Sequence, residues 1–426
     1  MPKSTRSVAL PDIKPRTPVA SLDRAAWHGR QEVFDVEQVA PLVGMSRTFI
    51  HKVRGRADSL TVDDVVALID QDSFAETFVP RSRVLEYLTR SDAVAASSER
   101  WLQVDSHTLT QGNVTDVLNR IEPSTIQCVV TSTPYWGLRI YEDSTIVPWA
   151  DGESCAYGHE QTPEGFIRHT TEILYRLRPL LTPDASVWWN LMDSYNTRTQ
   201  IRGSAVEALR AMQGKDARKW HDHDARRYSA GHSYLKDGEQ CLIPSRVAER
   251  ASRIGYHVKS MITWAKQSSL PEPQNSRVSR GLEYVIHLSP TRTPKFDRTA
   301  YRRVRTSLGG RAVGYEPDKL SDVWVLPTST GGGHGAQFPV ALPGRCIALS
   351  TDVGDTVLDP FVGSGNSGVA ARALGRKFVG IDVSPGYLAV AEERIAGIQG
   401  SGFEAAAQLI ESPDSPHQEL PMTGIV

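Results

Sequence analysis

Residues 355–384 read DTVLDPFVGSGNSGVAARALGRKFVGIDVS. TVLDPF has the apolar character of a buried strand and contains an acid, Asp359, at its end. GSGNSG follows as a turn with glycines at 363, 365 and 368. GVAARALG reads as a helix, and KFVGIDV as a second strand ending in Asp382. A glycine-rich strand-to-helix turn lets backbone N–H groups approach a ligand and aims a helix N-terminus at it. An acid at the end of the second strand, about 20 residues on, is placed to bind ribose hydroxyls. Glycines used only for packing would explain the turn alone. Strand, turn, helix, strand and acid in sequence point to an adenosine-type ligand.

The kind of ligand follows from what the turn lacks. It has no GxxxxGK[ST], which disfavours nucleotide hydrolysis. It is not a clean GxGxxG opening an N-terminal βαβ unit either. DPFVGSG begins with an acid, which suits a cation nearby. S-adenosylmethionine (AdoMet) carries an ammonium and a sulfonium.

Upstream, short β-branched runs alternate with helical stretches: IQCVVTS, TPEGFIRHTTEILYRLRPLL, SVWWNLM, IPSRVAERASRIG, VKSMITWA and EYVIHLS. This alternation predicts an α/β fold with a mostly parallel sheet. The strand IQCVV runs into TSTPYW at 131–136, a loop of hydroxyls, one proline and two aromatics.

DPFVGSG together with TSTPYW resembles the amino-group DNA methyltransferases of the permuted β class. In that family the target loop (Ser/Asp)-Pro-Pro-(Tyr/Phe) precedes the cofactor loop Asp-Pro-Phe-x-Gly-x-Gly, and this chain has that order. The likeness runs over about residues 105–397 and includes WWNLMDSYN, the ITWAKQSSLPEPQNSRVSRGLEYVIHLS block, DVWVLP and HGAQFPVALPGRCI. It implies a Rossmann-like AdoMet-dependent methyltransferase sheet with circularly permuted motif order.

The resemblance also implies site residues. Ser132 Oγ and the Thr133 carbonyl would accept the two N–H bonds of an exocyclic amine. Pro134 would stiffen the loop, and Tyr135 would stack on a base flipped from the duplex. Asp359, Phe361, Gly363 and Gly365 would surround the methionine part of AdoMet, with Asp382 on the ribose. Asn113 stands where the family has an Asp near the adenine. Phe338 and Pro339, after His334, would pack beside the cofactor. Family members with Ser in the first loop position tend to methylate cytosine N4, and those with Asp adenine N6. Ser132 therefore implies a site-specific, cytosine-N4-specific DNA methyltransferase, serving restriction–modification or epigenetic marking. Thr133 departs from the usual proline. Its carbonyl survives, but the loop loses a rigid ring and gains a hydroxyl, so adenine N6 stays open. A DNA-binding regulator with a degenerate methyltransferase domain is the reading from another class, and the intact loops count against it. An RNA amino-methyltransferase fits the basic and helical additions less well.

C5-cytosine chemistry needs a nucleophilic cysteine, in that family after a proline. Cys128, Cys155, Cys241 and Cys346 follow Gln, Ser, Gln and Arg. The four are far apart and form no CxxC, which points to free thiols in a reducing cytosol. His221, His223 and His232 lack tight ligand spacing, so no metal is expected.

The chain has 426 residues, 40% hydrophobic and 23% charged, with Lys+Arg 48 against Asp+Glu 49 and a net charge of −1. No global basic excess announces nucleic acid, so that case rests on local charge. No apolar run is long enough to span a bilayer, and the start has no apolar signal region. The location expected is the cytoplasm, associated with the nucleoid.

Residues 1–25 read as a flexible tail, 26–95 as a small all-α domain, 100–398 as the catalytic domain, and 399–426 as a second tail. In FDVEQVAPLVGMSRTFIHKVRG, Ala40, Gly44, Ile50 and Val53 have the spacing of a helix-turn-helix. Ser46 is the N-cap of a second helix carrying Arg47, His51, Lys52 and Arg54. Arg47, Lys52 and Arg54 are the candidate DNA contacts there. Two inserts are expected in the catalytic domain, at 196–238 and 291–320, for DNA recognition. The second holds Arg292, Lys295, Arg298, Arg302, Arg303, Arg305 and Arg311 against a single acid, Asp297, with Phe296 and Tyr301 interleaved. Arg298, Arg302, Arg303 and Arg305 are its candidate phosphate contacts. Double-stranded DNA is the expected partner. A cognate restriction endonuclease is the further partner such an enzyme can have, and the oligomeric state is open.

Overall fold

The computed structural model describes residues 24–56, 58–95, 101–136, 145–196, 200–201, 226–227, 235–236, 238–266, 276–317, 319–326 and 338–398. Two compact units divide the chain, Met1–Arg90 and Ser91–Val426.

The first unit contains α1 (Arg24–Trp27), β1 (Val33–Asp35), α2 (Val36–Val43), α3 (Arg47–Arg54), β2 (Ser59–Thr61), α4 (Val62–Ile69) and the start of α5 (Val84–Ala95). Its helix starts are set by side-chain caps. Asp35 accepts from Glu37 N, Ser46 from Phe49 N at 3.2 Å, and Thr61 forms a capping box with Asp64. Gly44 turns α2 into α3 with φ 65°. A Cβ there would lie 2.6 Å from the Ala75 carbonyl oxygen, so the turn needs glycine on two counts. Phe34, Val39, Leu42, Ile50, Val65 and Leu68 form the core. The all-α expectation needs correcting. β1 and β2 pair antiparallel, Val33 opposite Thr61. Three residues per strand are too few to show as a periodic pattern in the sequence.

The second unit is built on an eight-stranded sheet. Its strands are β3 (His107–Gln111), β4 (Ile126–Ser132), β7 (Leu181–Leu191), β10 (His257–Lys266), β11 (Leu282–Ser289), β12 (Val323–Leu326), β13 (Thr356–Asp359) and β14 (Lys377–Asp382). Two-residue strands pair as β5 (Val147–Pro148) with β6 (Ser154–Cys155), and β8 (Gln200–Ile201) with β9 (Arg226–Arg227). The order in the large sheet is β12-β10-β11-β7-β4-β13-β14-β3. Every neighbouring pair is parallel except the two that involve β11.

The crossovers are helical, as parallel pairing requires. From β4 the chain runs through the β5–β6 pair and α7 (Pro163–Leu177) to β7 on one side, and from β13 through α11 (Asn366–Ala373) to β14 on the other. The winding direction therefore reverses between β4 and β13, where Val357 pairs with Cys128 and Leu358 with Val129. Such a switch point opens a crevice beyond the carboxyl ends of the strands, the usual ligand site of open α/β sheets. The preceding short helix α6 (Val114–Val117) follows β3.

The remaining α-helices of this unit among the described residues are α8 (Ile243–Arg253), α9 (Ala300–Arg303), α10 (Ala341–Ser350) and α12 (Pro385–Ala396). Helix α10 is buried along its whole length. With Trp188, Trp264, Tyr301 and Trp324 it forms the core on one face of the sheet. Leu342, Ile347 and Leu349 are wholly buried, each stabilising by about 1.5–3 kcal/mol.

The 291–320 segment is part of this core. Ala300, Tyr301 and Leu308 are buried in it. Arg345, on α10, pairs with Glu316 at 2.7 and 2.9 Å and donates to the carbonyls of Gly309 and Gly310. A Cβ at Gly310 would fall 1.6 Å from the Val304 carbonyl oxygen. The segment thus packs too closely to be an added surface loop. Most of 196–238 lies outside the described residues. Among the described residues, no helix is long and apolar enough to cross a membrane.

Candidate functional site

Strand β4 delivers Ser132 to the crevice, and the next strand, β7, pairs Asn190 opposite it. Asn190 Nδ2 lies 3.3 Å from Ser132 Oγ, 2.8 Å from the Tyr135 hydroxyl and 2.6 Å from Glu283 Oε2. An amide nitrogen carries two hydrogens, so at most two of these contacts are full bonds at once. Ser132 Oγ is 3.0 Å from the Tyr135 hydroxyl, which donates to Glu283 Oε2. Lys266 at the end of β10 forms an ion pair with Glu283. Four adjacent strands thus contribute Ser132, Asn190, Glu283 and Lys266 to one polar cluster. Tyr135 spends its one hydroxyl hydrogen on Glu283, so the Ser132 hydrogen points at Tyr135 and its lone pairs are left to accept.

Thr133 stands where the family has proline, and it is 4% exposed. Packing supplies the stiffness that the missing ring would have. A Cβ on Gly158 would meet the Pro134 Cβ at 3.1 Å. Trp136 is 1% exposed and donates from Nε1 to the Glu160 carbonyl at 3.0 Å.

The glycine turn lies on the neighbouring strand. Asp359 accepts from Phe361 N at 3.0 Å and from Ser367 Oγ at 2.5 Å. Burial pushes its carboxyl up to about 6, against the hydrogen bonds that favour the charged form. Phe361 stacks on Tyr157 at 5.1 Å and meets Trp189 edge-on at 6.2 Å. Asp382 accepts from Gly363 N and Ser384 N, both at 2.9 Å, and so clamps the turn. Gly363 has φ 51° and open space where a Cβ would stand. Gly365 has φ 87°, and its Cβ would lie 2.9 Å from Ala391 Cβ, so it serves close packing of α12. Asn113 sits next to β14 at the same edge and caps α6, accepting from Thr115 N at 3.0 Å. Phe338 and Pro339 are buried, and the Phe338 carbonyl accepts from Asn366 Nδ2 at 2.7 Å. His334, and with it His221, His223 and His232, lies outside the described residues. Two carboxylates around an open glycine turn fit a cationic adenosine ligand.

The structure thus gathers Ser132 to Tyr135, Asp359, Phe361, Gly363, Gly365, Asp382, Asn113, Phe338 and Pro339 along one edge. Asn190, Glu283 and Lys266 join them with no role assigned from the sequence. They stand in stretches recognisable as blocks, but nothing local marks the individual residues.

The basic residues of 298–305 are elsewhere. Lys295 N donates to the Asp184 carbonyl and Asp297 N to that of Leu349. Asp184 lies toward the start of β7, and Leu349 precedes β13, so this stretch reaches the sheet edge away from Ser132. Arg298 and Arg302 line a cavity of about 560 Å³ with Trp188, Phe296, Lys319 and Trp324. Arg303 is paired with Asp297, and Arg305 is exposed. In the first unit, Arg47 pairs with Glu37 at 2.9 Å and Asp58 at 3.0 Å, Arg54 pairs with Asp64, and Lys52 is exposed.

Comparison with known proteins agrees with this geometry. The profile of the N6/N4 methyltransferases, described as DNA methylase, matches residues 126–393. The chain is 31% identical over 307 residues to the type II methyltransferase M.Cfr9I of Citrobacter freundii, covering 72% of this chain and 93% of that protein. It is 30% identical over 301 residues to M.XycI of Xanthomonas campestris pv. cyanopsidis, covering 70% and 91%. Among solved structures, the PvuII DNA methyltransferase (cytosine-N4-specific) is similar with a TM-score of 0.48 and 18% identity, over 72% of this chain and 92% of that one. The family uses AdoMet as its methyl donor, in keeping with the acidic glycine turn. This chain belongs to the N6/N4 DNA methylases and is an AdoMet-dependent DNA methyltransferase.

Proposed function

We propose that the protein methylates the exocyclic N4 of cytosine in duplex DNA, as the modification enzyme of a type II system. The observation that carries this reading is Ser132 at the β4–β13 switch point, hydrogen-bonded to Tyr135 and Asn190. The type II names of the relatives at about 30% identity support the setting.

AdoMet, when bound, supplies an activated methyl on its sulfonium. The acidic ends of β13 and β14 would hold it, Asp359 serving the cationic part and Asp382 the ribose hydroxyls. The target amine is a poor nucleophile because its lone pair is delocalised into the ring. Ser132 Oγ and the Thr133 carbonyl accept its two N–H bonds, which turns the lone pair toward the methyl. The path Ser132 to Tyr135 to Glu283 leads from the amine to a carboxylate and can take up the departing proton. Tyr135, held by its hydroxyl, presents its ring to the flipped base. Holding amine and methyl in line lowers the barrier by proximity.

Helix α3 of the first unit is the proposed DNA contact outside the catalytic edge. Arg47 and Arg54 would exchange surface carboxylate partners for phosphates, a small loss because exposed pairs stabilise by only about 0–1 kcal/mol. The test is transfer of radiolabelled methyl from AdoMet to plasmid DNA, followed by nucleoside analysis. N4-methylcytosine is the expected product. N6-methyladenine would overturn the base assignment, and no transfer to any DNA would overturn the reaction.

A further inference from the structure

Close behind the TSTPYW loop lies a side-chain cluster that the methyl transfer does not use. His169 on α7 is 1% exposed. Its Nδ1 is 3.0 Å from Glu160 Oε1, and its Nε2 is 3.3 Å from Asp151 Oδ1 and 3.9 Å from Glu153 Oε2. Trp149 stacks on the imidazole at 4.2 Å with the planes 9° apart, which fixes the ring. Cys155, on β6, reaches the same imidazole. One ligand atom each from Glu153, Cys155 and His169 lies within 4.8 Å of the others.

We propose that Glu153, Cys155 and His169 bind a divalent transition-metal ion of the zinc type. A tetrahedral zinc with bonds of about 2.0–2.3 Å places its ligand atoms about 3.3–3.8 Å apart, a small contraction from the present arrangement. Glu160 is placed as the orienting carboxylate on Nδ1, which leaves Nε2 for the metal, the usual second partner of a metal-binding histidine. The fourth position lies beside Asp151. Glu153 and Cys155 are only partly buried, so an ion can enter from solvent.

In binding the ion, Cys155 would act as the thiolate, its proton passing to solvent, and His169 through Nε2 as a neutral imidazole whose Nδ1–H donates to Glu160. The carboxylates of Asp151, Glu153 and Glu160 around the imidazole would offset the charge of the cation. The ion would brace the target loop, because Trp136 bonds the Glu160 carbonyl, Pro134 packs on Gly158, and Tyr157 stacks on Phe361.

The test uses the full-length protein, without DNA or AdoMet, so its failure leaves the proposed reaction untouched. Mass spectrometry of the purified protein should find about one zinc per chain. After chelation, cobalt(II) should restore a thiolate-to-cobalt charge-transfer band in the near ultraviolet. Cys155→Ser should lose that band, and Glu160→Gln should weaken metal affinity about 10–100-fold. Glu153→Gln, at the solvent side, gives a second variant if Glu160→Gln fails to fold, and should also weaken binding. Zinc should slow alkylation of Cys155, with the buried Cys128, Cys241 and Cys346 as internal controls. No thiolate band and an alkylation rate indifferent to zinc would show a buried histidine pinned by carboxylates, and would overturn the metal site.

Discussion

Ser132 Oγ lies 3.0 Å from the hydroxyl of Tyr135, three residues along the same loop, and that hydroxyl is bound to Glu283, 148 residues away on another strand. The loop proposed to face the target amine is therefore wired to a buried carboxylate. Ser132→Ala should abolish methyl transfer while AdoMet affinity, measured by calorimetry, stays near wild type. Tyr135→Phe keeps the ring and removes the relay. It should lower kcat about 10–100-fold, the loss expected for one hydrogen bond to a charged group. Wild-type kcat in Tyr135→Phe would rule out the relay.

The Asp359 carboxyl, ordinarily 3.8, is pushed up to about 6, chiefly by burial. A raised acid holds its proton more tightly in the folded chain. Its contribution to stability is thus full below about pH 4 and lost as pH rises through about 6. Cationic AdoMet favours the ionised form, so AdoMet affinity should fall about tenfold from pH 7 to pH 5. Calorimetric titrations across this window check it, and Asp359→Asn should flatten the dependence.

Asp382 holds Gly363 and Ser384 by their N–H groups, and the proposed reading also places the ribose hydroxyls on it. Asp382→Ala should weaken AdoMet binding by about 1.5–3 kcal/mol. Unchanged affinity would remove Asp382 from the cofactor site.

Arg345 and Glu316 form an ion pair with side chains 0% and 2% exposed. Glu316→Gln leaves the guanidinium without its counter-charge. The expected cost is about 3–5 kcal/mol of stability, read from urea unfolding. A change below about 1 kcal/mol would mean that the Gly309 and Gly310 carbonyls suffice.

Deleting residues 1–95 removes the first unit together with all of α5. DNA affinity should fall while AdoMet binding is kept. Loss of AdoMet binding in the truncated protein would show that the catalytic unit depends on this segment.

Much of this site was legible in one dimension. Asp359, the glycine turn and Asp382 lie within 24 residues, and a strand, a tight turn and a strand end are local events governed by backbone preference. Likewise Ser132 to Tyr135 are consecutive, and Gly44 and Ser46 act on their own helices. The order of the two loops carried the family. Tertiary structure alone decided the rest. Glu283 stands near the start of its strand, which in a parallel sheet would place it far from the catalytic edge. Only because β11 runs antiparallel does it arrive beside Ser132, Asn190 and Lys266. In the basic run at 291–311 the charge of Arg298, Arg302, Arg303 and Arg305 is visible in sequence and stays exposed, whereas the burial of Tyr301 and Leu308 under α10 is not visible there. The proposed Glu153–Cys155–His169 site could not be read from the sequence for the same reason. Its members come from a short hairpin and a helix, and no spacing rule connects residues that only packing brings within reach.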